Sequence, residues 1–206
     1  MPWEWLNIIG TVAFVISGAV IAMEEEYDLL GVVVLGMATA FGGGILRNIL
    51  LGIPLTSFWN QGNLFTIALV AMLIVFILPH KYISYWNRWG IFFDAVGLAA
   101  FAIQGALYAT EMKYPLSATI VAAVLTGIGG GIIRDVMAGR KPLVFQAEVY
   151  AVWAMLGGLA VGLQWASTGA ELFVLFVAII CCRMVSVYYG WKLPRRSLRS
   201  ASNTSL

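Results

Sequence analysis

The chain has 206 residues, of which 61% are hydrophobic and only 11% are charged, and its formal net charge is +2. Soluble domains carry about 25% charged residues, so this composition indicates an integral membrane protein that is embedded in the lipid bilayer. The small net charge excludes a nucleic-acid-binding function, and the adjacent Cys181 and Cys182 give no sign of a disulfide framework.

Seven stretches are apolar enough for membrane-spanning helices, which need about 20 residues each. Their approximate ranges are 5–23, 29–51, 62–79, 91–110, 116–138, 146–165 and 170–190. Short connectors separate them, and Asp28 and Pro115 suit the starts of the second and fifth helices. The sequence therefore predicts a single all-α integral membrane domain over residues 1–206, with a cytoplasmic tail at 191–206.

The chain contains an internal repeat with an offset of 87 residues. Residues 7–52 match residues 94–139 at 18 of 46 positions. Each unit holds three helices, over about residues 5–79 and 91–165. Because three is an odd number of crossings, the two units must face opposite ways and form an inverted repeat. The seventh helix, at about 170–190, stands outside it.

One motif occurs in both units at the same position. Its copies are Gly42-Gly43-Gly44-Ile45-Leu46-Arg47-Asn48 and Gly129-Gly130-Gly131-Ile132-Ile133-Arg134-Asp135. Three consecutive glycines weaken a helix, so we predict that helices 2 and 5 are broken at the triplets. Backbone opened at membrane depth must line a cavity, which indicates a pore or solute-binding site. The alternative is that the small residues serve close helix packing only.

Charged and amide side chains accompany the triplets. Arg47 and Arg134 either face the cavity or extend to the headgroups, as we expect for Arg183 in the seventh helix. Asp94 is expected to pair with one of the two arginines or to attract cations, with a helix N-cap as the alternative. The predicted pore or substrate site comprises Gly42, Gly43, Gly44, Arg47, Asn48, Asp94, Gln104, Gly129, Gly130, Gly131, Arg134 and Asp135.

The two halves differ in charge at equivalent positions. Asn48 and Asn7 in the first unit correspond to Asp135 and Asp94 in the second. Such an inequality predicts that one half dominates transport or that the halves act as different gates.

The lysines and arginines of the connectors predict the orientation. With the N-terminus outside, Lys113 lies outside and the C-terminus is cytoplasmic. The inner side then receives Lys81, Arg88, Arg140, Lys141, Lys192, Arg195, Arg196 and Arg199. No Ser/His/Asp or Cys/His arrangement is evident, and His80 is the only histidine. We therefore expect no enzymatic activity, no cofactor and no metal site.

The paired motifs, the doubled three-helix unit and the Asp-Ala-x-Gly-Leu-Ala-x-Phe stretch at 94–101 resemble prokaryotic members of the trimeric intracellular cation (TRIC) channel family. The repeat unit of that family is also catalogued as a "glycine transporter" domain. The resemblance covers about residues 5–190. It implies a seven-helix bundle with helices 2 and 5 broken at the triplets, a homotrimer with one pore in each protomer, and a bacterial or archaeal cell membrane.

These sequence features and the family resemblance support two main hypotheses for the function. A passive channel would pass K⁺ and Na⁺, with triplet carbonyls replacing part of the hydration shell. A carrier for glycine or another small amino acid would instead bind the carboxylate with Arg47 or Arg134 and the ammonium with Asp94. An arginine beside the path favours the carrier, whereas the family resemblance favours the channel. A purely structural membrane protein is a remote third possibility.

Overall fold

The computed structural model describes residues 3–78, 86–146 and 149–194. Regular structure in these ranges is entirely helical. A 3-10 helix, Leu55–Gln61, precedes the third α-helix, and a single turn, Leu143–Gln146, precedes the sixth. The α-helices are α1 (Glu4–Glu24), α2 (Leu29–Leu51), α3 (Gly62–Ile77), α4 (Trp86–Glu111), α5 (Leu116–Met137), α6 (Ala151–Gly162) and α7 (Gly169–Tyr188).

Six spans in the described part are long and apolar enough to cross a membrane, and α6 is a shorter apolar helix. The 3-10 helix and α3 together form one of the six, Leu55–Ile77. The prediction for α6, 146–165, is too long. That helix ends at Gly162, and Gln164 then adopts a positive φ of 59°, which turns the chain toward α7.

The helix ends follow the local sequence signals. The Asp28 side chain accepts a 2.7 Å hydrogen bond from the Gly31 amide at the start of α2. Gly52 and Gly139 follow α2 and α5 with φ of 67° and 70°, a backbone conformation that favours glycine. These two glycines are repeat mates, so both units end their middle helix in the same way.

The predicted breaks in helices 2 and 5 are absent from this structure. Each is one uninterrupted α-helix, Leu29–Leu51 and Leu116–Met137, which passes through its glycine triplet. Glycine lowers helix propensity, but tertiary packing overrides propensity when the helix is buried. The triplets lie where α2 and α5 contact each other, so the alternative of close packing describes their role in this conformation.

The four helices α1, α2, α4 and α5 form the centre of the bundle. Contacts of α1 with α4 and of α2 with α5 join the two units, α3 packs on α1 and α2, and α6 packs on α4 and α5. Helix α7 covers α4 and α6. The Phe14 and Phe101 rings meet edge to face at 5.2 Å between the units. Each ring also covers a glycine of the other unit, Phe14 at Gly97 and Phe101 at Gly10, so the contacts are reciprocal.

At each end of the bundle, a tyrosine hydroxyl of one unit forms a hydrogen bond with a backbone carbonyl of the other unit. The Tyr27 hydroxyl donates to the Met137 carbonyl at 3.2 Å, and its repeat mate Tyr114 donates to the Leu51 carbonyl at 3.1 Å. Connectors 25–28 and 138–142 therefore lie together, as do 52–54 and 111–115. This grouping agrees with the predicted sidedness, which itself remains a prediction. Of the basic residues behind that prediction, Lys81, the side chain of Arg88, and Arg195, Arg196 and Arg199 lie outside the described residues.

Candidate functional site

The first glycine of each triplet faces the hydrophobic residue before the arginine of the other triplet. A Cβ at Gly42 would meet the end of the Ile133 side chain, and one at Gly129 would meet the end of Leu46. Leu46 and Ile133 are themselves repeat mates. The side-chain contacts are therefore a symmetric pair, and a Cβ at Gly129 would in addition lie 3.2 Å from the Gly43 Cα.

The second glycine of each triplet lies against backbone. A Cβ at Gly43 would overlap the carbonyl oxygen of Thr126, and one at Gly130 would overlap the carbonyl oxygen of Thr39. These threonines are also repeat mates. Each donates its hydroxyl at 2.6 Å to the carbonyl four residues earlier in its own helix. Only glycine permits α2 and α5 to approach this closely.

The third glycine of each triplet faces an arginine. A Cβ at Gly44 would lie 3.8 Å from Nη2 of Arg47, and one at Gly131 would lie 3.8 Å from Nη2 of Arg134. Both distances are ordinary van der Waals contacts. The motif thus places a guanidinium beside the crossing of α2 and α5 in each half of the molecule.

Arg134 is buried and ion-paired with two carboxylates. Its Nη1 donates to Asp94 Oδ1 at 2.7 Å and to Ser17 Oγ at 2.6 Å, and its Nε donates to Asp135 Oδ1 at 2.8 Å. The second oxygen of each carboxylate is also used. Tyr150 donates its hydroxyl to Asp94 at 2.6 Å, and the Leu143 amide donates to Asp135 at 2.9 Å. Two carboxylates therefore compensate one guanidinium.

Arg47 is equally buried but has only neutral partners in the described part of the chain. Its Nη2 and Nε donate to Asn48 Oδ1 at 2.8 and 3.1 Å, and its Nη1 reaches Gln104 Oε1 at a long 3.5 Å. The guanidinium lies over the Tyr108 ring, 3.9 Å from its centroid. Carboxylates balance the charge of Arg134, whereas among the described residues the charge of Arg47 is stabilised only by amide dipoles and by the π face of the tyrosine ring.

Each of the two buried arginines lines a cavity. The Arg134 vestibule, about 200 Å³, has Glu24 and Arg140 among its walls together with Ser17, Asp94 and Arg134. The Arg47 cavity, about 20 Å³, is lined by Asn7, Thr11, Arg47, Asn48, Gln61 and Gln104 and by apolar residues. Along α1, Thr11 faces the cavity and Ser17 faces the vestibule. Phe14 lies between them and contacts Phe101, so the two spaces are separated.

Arg183 does not extend to the headgroups. It is 2% exposed, and its guanidinium lies 4.7 Å from the centroid of the Tyr150 ring. A cation–π contact holds it inside the bundle beside the tyrosine that binds Asp94. The expectation that Arg183 extends to the headgroups is wrong, because Arg183 lies on the buried, mainly apolar face of α7, and α7 packs against α4 and α6.

The structure brings every predicted site residue to the crossing or to one of the two clusters. The expected pairing of Asp94 is with Arg134 and not with Arg47, and both partners belong to the second unit. Sequence reasoning missed Tyr150 and Tyr108 as partners of the clusters. Tyr108 follows Gln104 by four residues on α4, so helical spacing could have found it. No local signal marks Tyr150.

Sequence comparisons give relatives along nearly the whole chain. The sequence profile described as "Glycine transporter" matches residues 4–80 and again residues 91–166. The UPF0126 membrane protein YvgT of Bacillus subtilis is 60% identical over 199 residues, with 97% of this chain and 98% of that protein covered. The UPF0126 inner membrane protein YadS of Escherichia coli K12 is 31% identical over 202 residues, with 94% and 96% covered.

The solved structures to which this chain is similar include TRIC channels. One, described in work on conductance through TRIC cation channels, has a TM-score of 0.82 at 33% identity and covers 96% of this chain and 98% of its own. A prokaryotic TRIC channel in 0.5 M KCl gives 0.82 at 34% identity, with 93% and 98% covered. The TRIC orthologue of Rhodobacter sphaeroides gives 0.80 at 28%, with 91% and 98% covered.

Proposed function

This chain belongs to the TRIC channel family, whose sequence profile is described as glycine transporter, and on that premise we propose that it conducts K⁺ and Na⁺ through a pore within each protomer. Family membership gives a membrane channel. The monovalent-cation selectivity, the pore in each protomer and the homotrimer are our proposals.

The neutralisation of Arg134 carries the cation proposal. An uncompensated guanidinium beside a pore would repel a bare cation. Here Asp94 and Asp135 ion-pair with it at 2.7 and 2.8 Å, so two carboxylates contact the Arg134 guanidinium. Arg134 with its two carboxylates therefore does not present an uncompensated positive charge to a cation in this half of the molecule.

The second candidate is a carrier for glycine or another small amino acid. Arg47 favours it, because only amides and an aromatic ring accompany this guanidinium and a carboxylate would suit it. The size of the Arg47 cavity weighs against it. About 20 Å³ is enough for one water molecule, whereas glycine has five heavy atoms. Arg134 is already occupied by two carboxylates, so neither arginine offers a ready glycine site.

The structure corresponds to a closed channel in this proposal. A continuous route from the vestibule to the Arg47 cavity requires the Phe14–Phe101 contact and the α2–α5 crossing to separate. We propose that the two helices open at their triplets during conduction, because glycine backbones lose the fewest side-chain contacts on separating. The two units would then act as inverted halves around one path.

Reconstitution into liposomes tests the proposal. We expect voltage-driven K⁺ current with unitary steps and no uptake of labelled glycine. Saturable glycine uptake without ion current would replace the channel by the carrier. Empty liposomes, and liposomes with the crossing variant Gly130→Leu, are the controls. Because a leucine side chain at Gly130 would overlap the Thr39 carbonyl in the closed crossing, we expect this variant to change the current, and unchanged current would contradict the proposed route.

A further inference from the structure

We propose that the Arg47 cavity binds one monovalent anion of halide size, in physiological solution chloride. The anion would lie beside the Arg47 guanidinium, in contact with the amides of Asn7 and Gln104. The inference concerns ion binding and does not depend on whether the transported solute is a cation or glycine.

The first argument is the charge difference between the two halves. At equivalent positions the second unit carries Asp94 and Asp135, whereas the first carries Asn7 and Asn48. Arg134 consequently has two ion pairs. Arg47, 4% exposed, has no carboxylate within ion-pair distance among the residues that the structure describes. A buried cation without a counter-charge is costly, and a bound anion would provide what the sequence of this half lacks.

The second argument is the chemistry of the wall. Polar groups on the Arg47 cavity come from a guanidinium, from the amides of Asn7, Asn48, Gln61 and Gln104, and from the Thr11 hydroxyl, with no acidic residue among them. All of these groups can donate hydrogen bonds, and a halide accepts them without a preferred direction. In the Arg134 vestibule, by contrast, both arginines of the wall are already ion-paired, Arg134 with Asp94 and Arg140 with Glu24, so neither lacks a counter-charge.

The third argument is size. A cavity of about 20 Å³ holds one water molecule, so a halide fits with small adjustments of the side chains. Phosphate, sulfate and glycine are too large for it. The cavity therefore selects for small monovalent anions over the larger anionic solutes.

Thermal unfolding of the purified protein in detergent tests binding without any transport measurement. The Tm is measured in sodium chloride, sodium bromide and sodium gluconate solutions of equal ionic strength, and in the gluconate solution with glycine added. We expect a saturable rise in Tm with chloride and bromide over gluconate, because a ligand that binds only the folded state stabilises it. A rise with glycine and none with halides would overturn the assignment.

Three variants locate the site. Asn7→Asp provides the carboxylate that Asp94 provides in the other half, and Arg47→Gln removes the cation. Each should reduce bromide affinity at least about tenfold, equivalent to about 1.4 kcal/mol. Arg140→Gln is the matched control, because it removes an arginine that lies at the vestibule, and it should retain the halide response. A halide response preserved in both Asn7→Asp and Arg47→Gln would overturn the proposal.

Bromide also gives a direct measurement on the unaltered protein. Crystals grown in sodium bromide should show an anomalous peak within hydrogen-bond distance of the Arg47 guanidinium. Data of sufficient anomalous quality without that peak would refute the site even if the variants fail to fold. Failure here leaves the channel proposal untouched, since K⁺ current is measured separately.

Discussion

Within each triplet the three glycines face three different neighbours, and the same division recurs in both units. The first meets a hydrophobic side chain, the second meets a threonine carbonyl and the third lies beside an arginine. One sequence motif therefore sets both the helix crossing and the position of a buried charge. At the residue scale, the motif combines packing and electrostatics, and both helices are continuous through it in this structure.

Alanine substitutions at the second and third glycines of both triplets separate these roles. Gly43→Ala and Gly130→Ala would overlap backbone carbonyls, which cannot move without displacing a helix, so we expect each to lose about 1–3 kcal/mol of stability. Gly44→Ala and Gly131→Ala meet nothing closer than 3.5 Å and should be neutral or slightly stabilising. Thermal unfolding of the four variants gives the comparison. Equal effects at all four positions would refute the crossing.

The carboxylates at Arg134 should control cation passage. Asp94→Asn leaves the guanidinium with Asp135 alone, and we expect K⁺ conductance to fall about tenfold, which corresponds to about 1.4 kcal/mol. Ser17→Ala removes a neutral partner of the same guanidinium and should change conductance far less. Equal losses in the two variants, measured in planar bilayers, would show that geometry and not charge matters.

Arg134 itself is a poorer probe than Asp94. Its replacement by alanine leaves Asp94 and Asp135 buried together without a cation. Breaking a buried ion pair in this way costs about 3–5 kcal/mol. Any transport defect would then be inseparable from damage to the fold.

At the scale of elements, the connectors hold the vestibule end of the bundle together. Arg140 donates to Glu24 at 2.8 Å and to Glu25 at 2.5 Å, which links the end of α1 to the segment after α5. Partial burial alone would lower the Arg140 pKa, but the hydrogen bonds and charges of the two glutamates raise it. The guanidinium is therefore charged throughout the physiological range. Its repeat mate is Ile53, so the opposite end has no corresponding ionic link.

Removing this link should favour opening at the vestibule end. We expect Arg140→Gln to increase K⁺ open probability in single-channel recordings. The coupling energy to Glu24 should be above zero and below about 1 kcal/mol, because both side chains are about one-third exposed. A double-mutant cycle with Glu24→Gln measures it. Strictly additive effects of the two substitutions would show that the ion pair does not contribute.

The whole molecule consists of two related units with unequal charge. Their contacts are reciprocal at the phenylalanines, at the triplets and at the two terminal tyrosines. Their buried clusters differ, with carboxylates in one and amides in the other. A packing core that is nearly symmetric thus separates two electrostatically different ends of the proposed path.

Sidedness is the prediction that belongs to this scale. In a variant with Cys181 and Cys182 replaced by serine, a cysteine introduced at Lys113 should react with a membrane-impermeant maleimide in intact cells. A cysteine at Lys192 should react only after permeabilisation. The reverse pattern would place the N-terminus in the cytoplasm, and reaction at both sites in intact cells would indicate dual orientation.

Composition, helix ends and the repeat were available from the sequence, because each depends on local chemistry. Hydropathy gives α1, α2, α5 and α7 to within two residues, and Asp28 and Pro115 mark helix starts, Asp28 through its side-chain hydrogen bond and Pro115 through its fixed φ. The arginine, amide and carboxylate positions around the triplets could likewise be read in one dimension. Helix propensity was misleading at the triplets, since it predicts breaks where tertiary packing keeps the helices continuous.

Only the tertiary structure decided which groups meet. Asp94 pairs with Arg134 and not with Arg47, Ser17 joins them from the other unit, and Tyr150 contacts Arg183. Each of these contacts depends on which sides of the helices pack against each other. Those orientations result from the simultaneous packing of α1, α4 and α5, which no window of sequence contains. The chain itself determined a duplicated membrane protein with unequal halves, and packing determined that one buried arginine is neutralised while the other is left with amides.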